Sequence, residues 1–106
     1  MRKFRVIVLS VAFLVVIALS AFIISSHVRS KKRSVAFAKV RVGDTKETVA
    51  QLFGSTPEEV SKCYDPHDQF NGKCAEVYWY FAFLERWEIL FDRDGKVIDK
   101  GYNVSF

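Results

Sequence analysis

Cys63 and Cys74 are the residues of this chain best suited to chemistry, and Asp65 and His67 lie between them. Three chemistries use such a set. The first is a disulfide: an even pair in a small exported domain forms a staple. Closing a loop of this length contributes about 2–3 kcal/mol by the chain-entropy estimate. The second is a metal site built from Cys63, Asp65, His67 and Cys74. Its spacing matches no common zinc pattern, and no second closely spaced Cys pair exists. Asp65 to Gly72 also fails as a calcium loop, because Gln69 and Phe70 stand where a ligand and a glycine are needed. The third is a thiol nucleophile with His67 as base. Nothing in the pattern supplies an oxyanion donor or an orienting acid.

The other titratable groups have plainer roles. His27 borders an apolar run, and Glu58-Glu59 suits a helix start. Glu85, Glu88, Asp92 and Asp94 read as solvated strand and turn charges. There is no glycine-rich phosphate loop. The expectation is a protein without catalytic residues, metal or cofactor, with the Cys63–Cys74 disulfide as its covalent feature. The alternative is a ligand- or metal-binding sensor domain using the Cys63–Cys74 loop.

Charge divides the chain in two. Residues 1–34 carry seven Lys/Arg and no acid; residues 35–106 carry nine Lys/Arg against twelve Asp/Glu. The overall +4 therefore belongs to the N-terminal stretch. The remainder is mildly acidic, which argues against a nucleic-acid partner. Val6 to Ser25 is an uncharged run whose polar side chains are Ser10, Ser20 and Ser25. A helix of that length matches the roughly 30 Å hydrocarbon core, so residues 6–25 are expected to span the lipid bilayer. Residues 1–5 form a basic tail. Residues 26–36 form a basic linker, with Arg29, Lys31, Lys32 and Arg33 at head-group level. A cleavable signal peptide is the rival reading. The apolar run is longer than such signals use, and Phe22, Ile23 and Ile24 follow the weak Ala18-Leu19-Ser20 site. Basic counts on the two sides are nearly balanced, three before the span and four after it, and lean toward a cytoplasmic C-terminal domain. The cysteine pair decides for an oxidising compartment.

Residues 37–106 read as one small α+β domain. Lys46 to Phe53 is a helix capped by Asp44 or Thr45, with Val49, Leu52 and Phe53 as its apolar stripe and Gly54 as its stop. Thr56-Pro57-Glu58-Glu59 suggests a second short helix reaching Cys63. Tyr64 to Gly72 is a loop. Three strands follow at Glu76–Leu84, Arg86–Asp92 and Val97–Val104, the last two joined by a turn at Arg93-Asp94-Gly95-Lys96. The fold expected is an N-terminal single transmembrane helix, then two short helices packed on a three-stranded antiparallel sheet. Val77, Trp79, Phe81, Phe83, Trp87, Ile89 and Phe91 are assigned to the covered face. Glu76, Tyr78, Tyr80, Glu88, Leu90 and Asp92 are assigned to the open one, where Tyr78, Tyr80 and Leu90 are the candidate interface.

Several of these segments resemble the outer membrane protein assembly factor BamE family, also called SmpA/OmlA. They are Val42-Gly43-Asp44-Thr45, Val49, Leu52-Phe53-Gly54 before Pro57, Trp79-Tyr80-Phe81, and Phe91-Asp92-Arg93-Asp94-Gly95-Lys96-Val97. The resemblance covers roughly residues 37 to 100. It implies two helices followed by a three-stranded sheet, and a non-catalytic scaffold in the cell envelope. Pro57 falls one residue later than in the family, and no Cys lies near the end of the apolar run to carry the family's lipid anchor. What carries over is the fold and the binding-module class. The sequence thus leads to a single-pass protein of the bacterial inner membrane. Its C-terminal domain lies in the periplasm and contacts an envelope protein, in assembly or stability of that layer.

Overall fold

The structure is a computed structural model and describes residues 2–63 and 70–104. Helix α1 runs from Arg2 to Lys39, 38 residues, which is about 57 Å at the usual rise. It is long and apolar enough to cross a membrane. Every residue from 6 to 25 is exposed, and among the described residues the ring contact made by this run is that of Phe22 with Phe83.

The expected linker is helix. No Gly or Pro interrupts residues 26–39, and Lys, Arg and Ala there favour helix. Packing adds the larger reason. Arg33, Ala36, Phe37 and Val40 recur at i, i+3, i+4 and i+7, and this stripe turns onto the domain. Ala36 and Val40 are buried there, and Phe37 packs against the core. The C-terminal part of α1 is therefore a structural part of the domain.

The chain then turns through Val40–Thr45. Gly43 N–H donates to Val97 O (2.8 Å), and Val97 N–H to Asp44 O (2.8 Å), tying this corner to the sheet. Helix α2 spans Lys46–Phe53. Thr45 is its N-cap, in extended backbone, its hydroxyl accepting from Thr48 N–H at 3.1 Å. Asp44 instead accepts from Arg41 N–H. Gly54, at φ 72°, ends the helix in the left-handed region that a glycine enters without penalty.

Four strands follow rather than three: β1 Glu59–Lys62, β2 Glu76–Ala82, β3 Glu85–Phe91 and β4 Val97–Val104. They form one antiparallel meander in the order β1-β2-β3-β4. The second short helix expected after Pro57 is strand β1. The segment is too short to nucleate helix alone. Pairing with the free edge of β2 satisfies its backbone instead, with Glu59 opposite Trp79 and Lys62 opposite Glu76. The turn into β4 forms as expected: Asp92 Oδ1 accepts from Asp94 N–H and Lys96 N–H, both at 2.9 Å.

The assignment of faces on β2 is reversed from expectation. Only Phe83 and Leu84 separate β2 from β3, and Ala82 pairs with Glu85. In this register Tyr78 lies opposite Ile89, and Tyr80 opposite Trp87. Even-numbered residues of β2 therefore share a face with odd-numbered residues of β3, and that face meets the helices. The core is Val40, Val49, Tyr80, Trp87, Ile89, Phe91 and Val97, with Phe37, Leu52, Phe53, Tyr78 and Ala82 around it. The tight turn has a local cost. Leu84 adopts φ 60°, a left-handed conformation that costs a branched side chain about 1–2 kcal/mol.

Candidate functional site

Several polar side chains meet where α1 packs on the sheet. Arg33 belongs to a basic run that suggests solvated head-group contacts. Its position on the inner stripe of α1 instead buries it to 8% exposure. Its guanidinium lies 5.2 Å from the Tyr80 ring centroid, a cation–π arrangement. Its Nη1 approaches Glu58 Oε1 to 2.6 Å. That approach is off the N–H axis, so it is an ion pair rather than a well-aligned hydrogen bond. Arg29, one turn earlier, hydrogen-bonds to the same carboxylate oxygen. Farther along, Lys100 Nζ donates to Phe37 O at 2.7 Å and sits over the Phe37 ring. Ser30 donates to Glu85, which also accepts from Tyr102 Oη at 3.1 Å.

Glu58 feels opposing influences. Desolvation by burial pushes its carboxyl up; the close Arg33 guanidinium, a backbone bond and Arg29 pull it down and prevail. Its folded value lies below the ordinary 4.5. A depressed carboxylate stabilises the fold above its unfolded value, and that contribution fades as pH falls through the folded one. Replacing Glu58 with Gln is therefore expected to lower the melting temperature at pH 7, with the gap to the parent closing as pH drops below 4.5. Melting curves of both proteins between pH 7 and 2.5 check this; a gap that stays constant would refute the linkage.

Tyr80 anchors the same site. Its ring stacks on Phe53 at 3.9 Å between centroids, and its hydroxyl donates to Ser55 O at 3.1 Å. Burial, with neighbouring Tyr78, pushes the phenol up to about 12 against the opposing pull of Arg33, so it remains a neutral donor. Of the three candidate interface residues, Tyr80 is fully buried and Tyr78 is half-buried on the helix-covered side, against the expectation for both. Leu90 does lie on the opposite face, though only 8% exposed.

The face away from the helices carries Val77, Trp79, Phe81, Arg86, Glu88 and Leu90, with Ser61 from β1 and Asp99 from β4. Trp79 Nε1 donates to Ser61 Oγ at 2.8 Å, and the Arg86 guanidinium lies 5.5 Å from the Trp79 ring. An open groove of about 400 Å³ is lined by Phe70, Val77, Trp79 and Leu90, together with Lys62, Glu88 and Asp99. The Phe83-Leu84 spacer fixes the strand parity that sends these residues to this face; at the junction, the i, i+3, i+4, i+7 stripe is the sequence feature that draws Arg33 inward.

Cys63 and Cys74 lie at disulfide distance, with Cα atoms 5.7 Å apart. The sheet continues through them: Cys63 N–H donates to Ala75 O (3.3 Å) and Ala75 N–H to Phe91 O (2.8 Å). Sulfurs joined to each other supply neither a nucleophile nor a metal thiolate. Asp65 and His67, the other members of that sequence cluster, and most of the expected Tyr64–Gly72 loop, lie outside the described residues.

No protein-family model, curated protein or solved structure matches this chain. Its class rests on the fold itself: one long apolar N-terminal helix, a short helix and a four-stranded antiparallel sheet.

Proposed function

We propose that this chain is a membrane-anchored, non-catalytic interaction module of the bacterial cell envelope. It is held in the inner membrane by residues 6–25, and its α+β domain sits in the periplasm as a BamE-like scaffold. The observation that carries this reading is the unbroken passage of α1 from an uncovered apolar run into the domain core. A domain joined in this way stands at a fixed height and angle over the bilayer, as suits a docking platform. The Cys63–Cys74 pair supports an oxidising compartment. Helix α2 between Gly43 and Gly54, and the β2–β4 meander, support the BamE-like reading; β1 in place of a helix after Pro57 is a departure from it. The face bearing Trp79, Phe81 and Leu90 is the proposed contact surface for an envelope protein. Its aromatic groove, lined by Lys62 as well as by Glu88 and Asp99, suits an apolar segment of a partner.

Orientation is tested by fusing alkaline phosphatase, which is active only outside the cytosol, to the C-terminus in bacterial cells. Activity at the level of an exported control is expected. An inactive phosphatase, paired with a fluorescent cytosolic reporter at the same position, would reverse the topology. The surface is tested by placing a photo-crosslinking residue at Phe81 or at Asp94 in the far turn. Adducts to a discrete protein from position 81 alone are expected, and indistinguishable patterns would remove the surface assignment.

A further inference from the structure

We propose that the β2–β3 hairpin tip, Phe83-Leu84, is a second membrane contact that inserts into the edge of the hydrocarbon layer beside α1. The proposal rests on the reading of α1 as a bilayer span. Its starting point is one aromatic contact: the Phe83 ring meets the Phe22 ring edge-on, with centroids 5.7 Å apart. Phe22 lies within the uncharged run, three residues before its end at Ser25 and seven before the first following cation, Arg29. At the helical rise these separations are about 4–5 Å and about 10 Å along the axis. Phe83 shares the depth of Phe22. A span that buries Phe22 in acyl chains places the hairpin tip among them too.

The chemistry of the tip agrees with that depth. Phe83 is 62% exposed and Leu84 46%, an apolar pair at the end of an otherwise well-covered hairpin. Leu84 holds φ 60°, a position where Gly or Asn is the ordinary choice in a tight turn. A branched apolar side chain there sacrifices local fit and presents bulk outward. Polar groups begin one residue behind. Glu85 is held by Ser30 and Tyr102, and Arg86 lies over Trp79. On the helix the sequence changes at the same height, through Ser26 and His27 to Arg29. Apolar tip and polar belt thus follow one plane on both elements, as expected for side chains at a membrane–water boundary. A protein partner at this point would have to displace lipid from beside the span, so the bilayer itself is the assigned occupant.

Site-directed spin labelling of the full chain in phosphatidylcholine vesicles tests this, with the native cysteine pair left oxidised. Nitroxide is attached to single variants Phe83→Cys and Leu84→Cys at the tip, Asp94→Cys in the opposite turn, and Val15→Cys within the span. Collision with oxygen is compared with collision with a water-soluble nickel chelate. Both tip labels are expected to favour oxygen several-fold over the Asp94→Cys label, at a depth shallower than the Val15→Cys label. Tip labels as water-exposed as the Asp94→Cys label, with a deep Val15→Cys label, would overturn the insertion and assign the tip to a protein contact. A water-exposed Val15→Cys label would instead overturn the span, and the insertion with it. Two adjacent tip positions guard against one label disturbing the turn.

Discussion

Tyr80→Ala is expected to lower the stability of the domain by about 3–5 kcal/mol, the usual cost of deleting a fully buried aromatic ring. Tyr80 has no exposed surface, and its loss removes several interactions at once. Phe53 loses its stacking partner, Ser55 O loses a donor, and Arg33 loses the ring beneath its guanidinium. The Arg33 charge then faces a cavity, which a low-dielectric site tolerates poorly. Tyr80→Phe separates the parts: it keeps the ring and removes only the hydroxyl, at about 1 kcal/mol. Trp79→Ala, one position along the same strand, is expected to cost about 1–2 kcal/mol, because the indole is only partly covered. Thermal melts of the full chain in detergent, followed by near-ultraviolet circular dichroism, give all three values. A larger loss for Trp79→Ala than for Tyr80→Ala would mean that the β2 register is wrong.

That comparison also marks the limit of what the sequence discloses about this sheet. Strand β4 and helix α2 are legible from local signals: a capping threonine, a terminating Gly54, and an Asp92-initiated turn. These features act over a few residues, so local chemistry suffices. The faces of β2 depend on a different quantity, the parity of the spacer before β3. With alternating aromatics on both faces of Val77–Ala82, side-chain character could not break the tie. The spacer could, but Phe83-Leu84 lacks the Gly or Asn that marks a two-residue turn. An apolar pair at a hairpin tip reads as more strand. If that tip sits in lipid, the feature that hides the turn in the sequence is the same one that gives it a role.

The junction was obscured for a related reason. Arg29, Lys31, Lys32 and Arg33 look interchangeable as a cationic run beside an apolar segment. Only three-dimensional periodicity separates them: Arg33 falls on the stripe with Ala36, Phe37 and Val40, and the others do not. Strand β1 was hidden by good helix-start chemistry at Thr56-Pro57, which tertiary pairing overrides. Glu58 belongs to this misread segment. It comes to lie at the end of an edge strand, where its carboxylate meets Arg33 and Arg29 from α1. The clamp that fixes the sheet to α1 thus joins residues 25 and 29 positions apart in the chain, a separation no local pattern discloses.

Reducing the Cys63–Cys74 bond, or replacing both cysteines with serine, is expected to cost about 3 kcal/mol. For a domain of this size that corresponds to a fall in melting temperature of about 12–24 °C. The loss should be unequal across the sheet. Strand β1 has only four residues and a partner on one side, and the cysteine pair follows directly at its end. Amide exchange in β1 is therefore expected to accelerate more than in β3, which is paired on both sides. Melting curves with and without reductant, and exchange measured residue by residue, check both parts. An unchanged melting temperature on reduction would remove the staple from the account of stability and the main reason for placing the domain outside the cytosol. The uneven loss has a functional side. An edge strand that frays exposes the pairing groups of β2 to any extended chain nearby. Closing the bond keeps β1 seated and holds that edge shut.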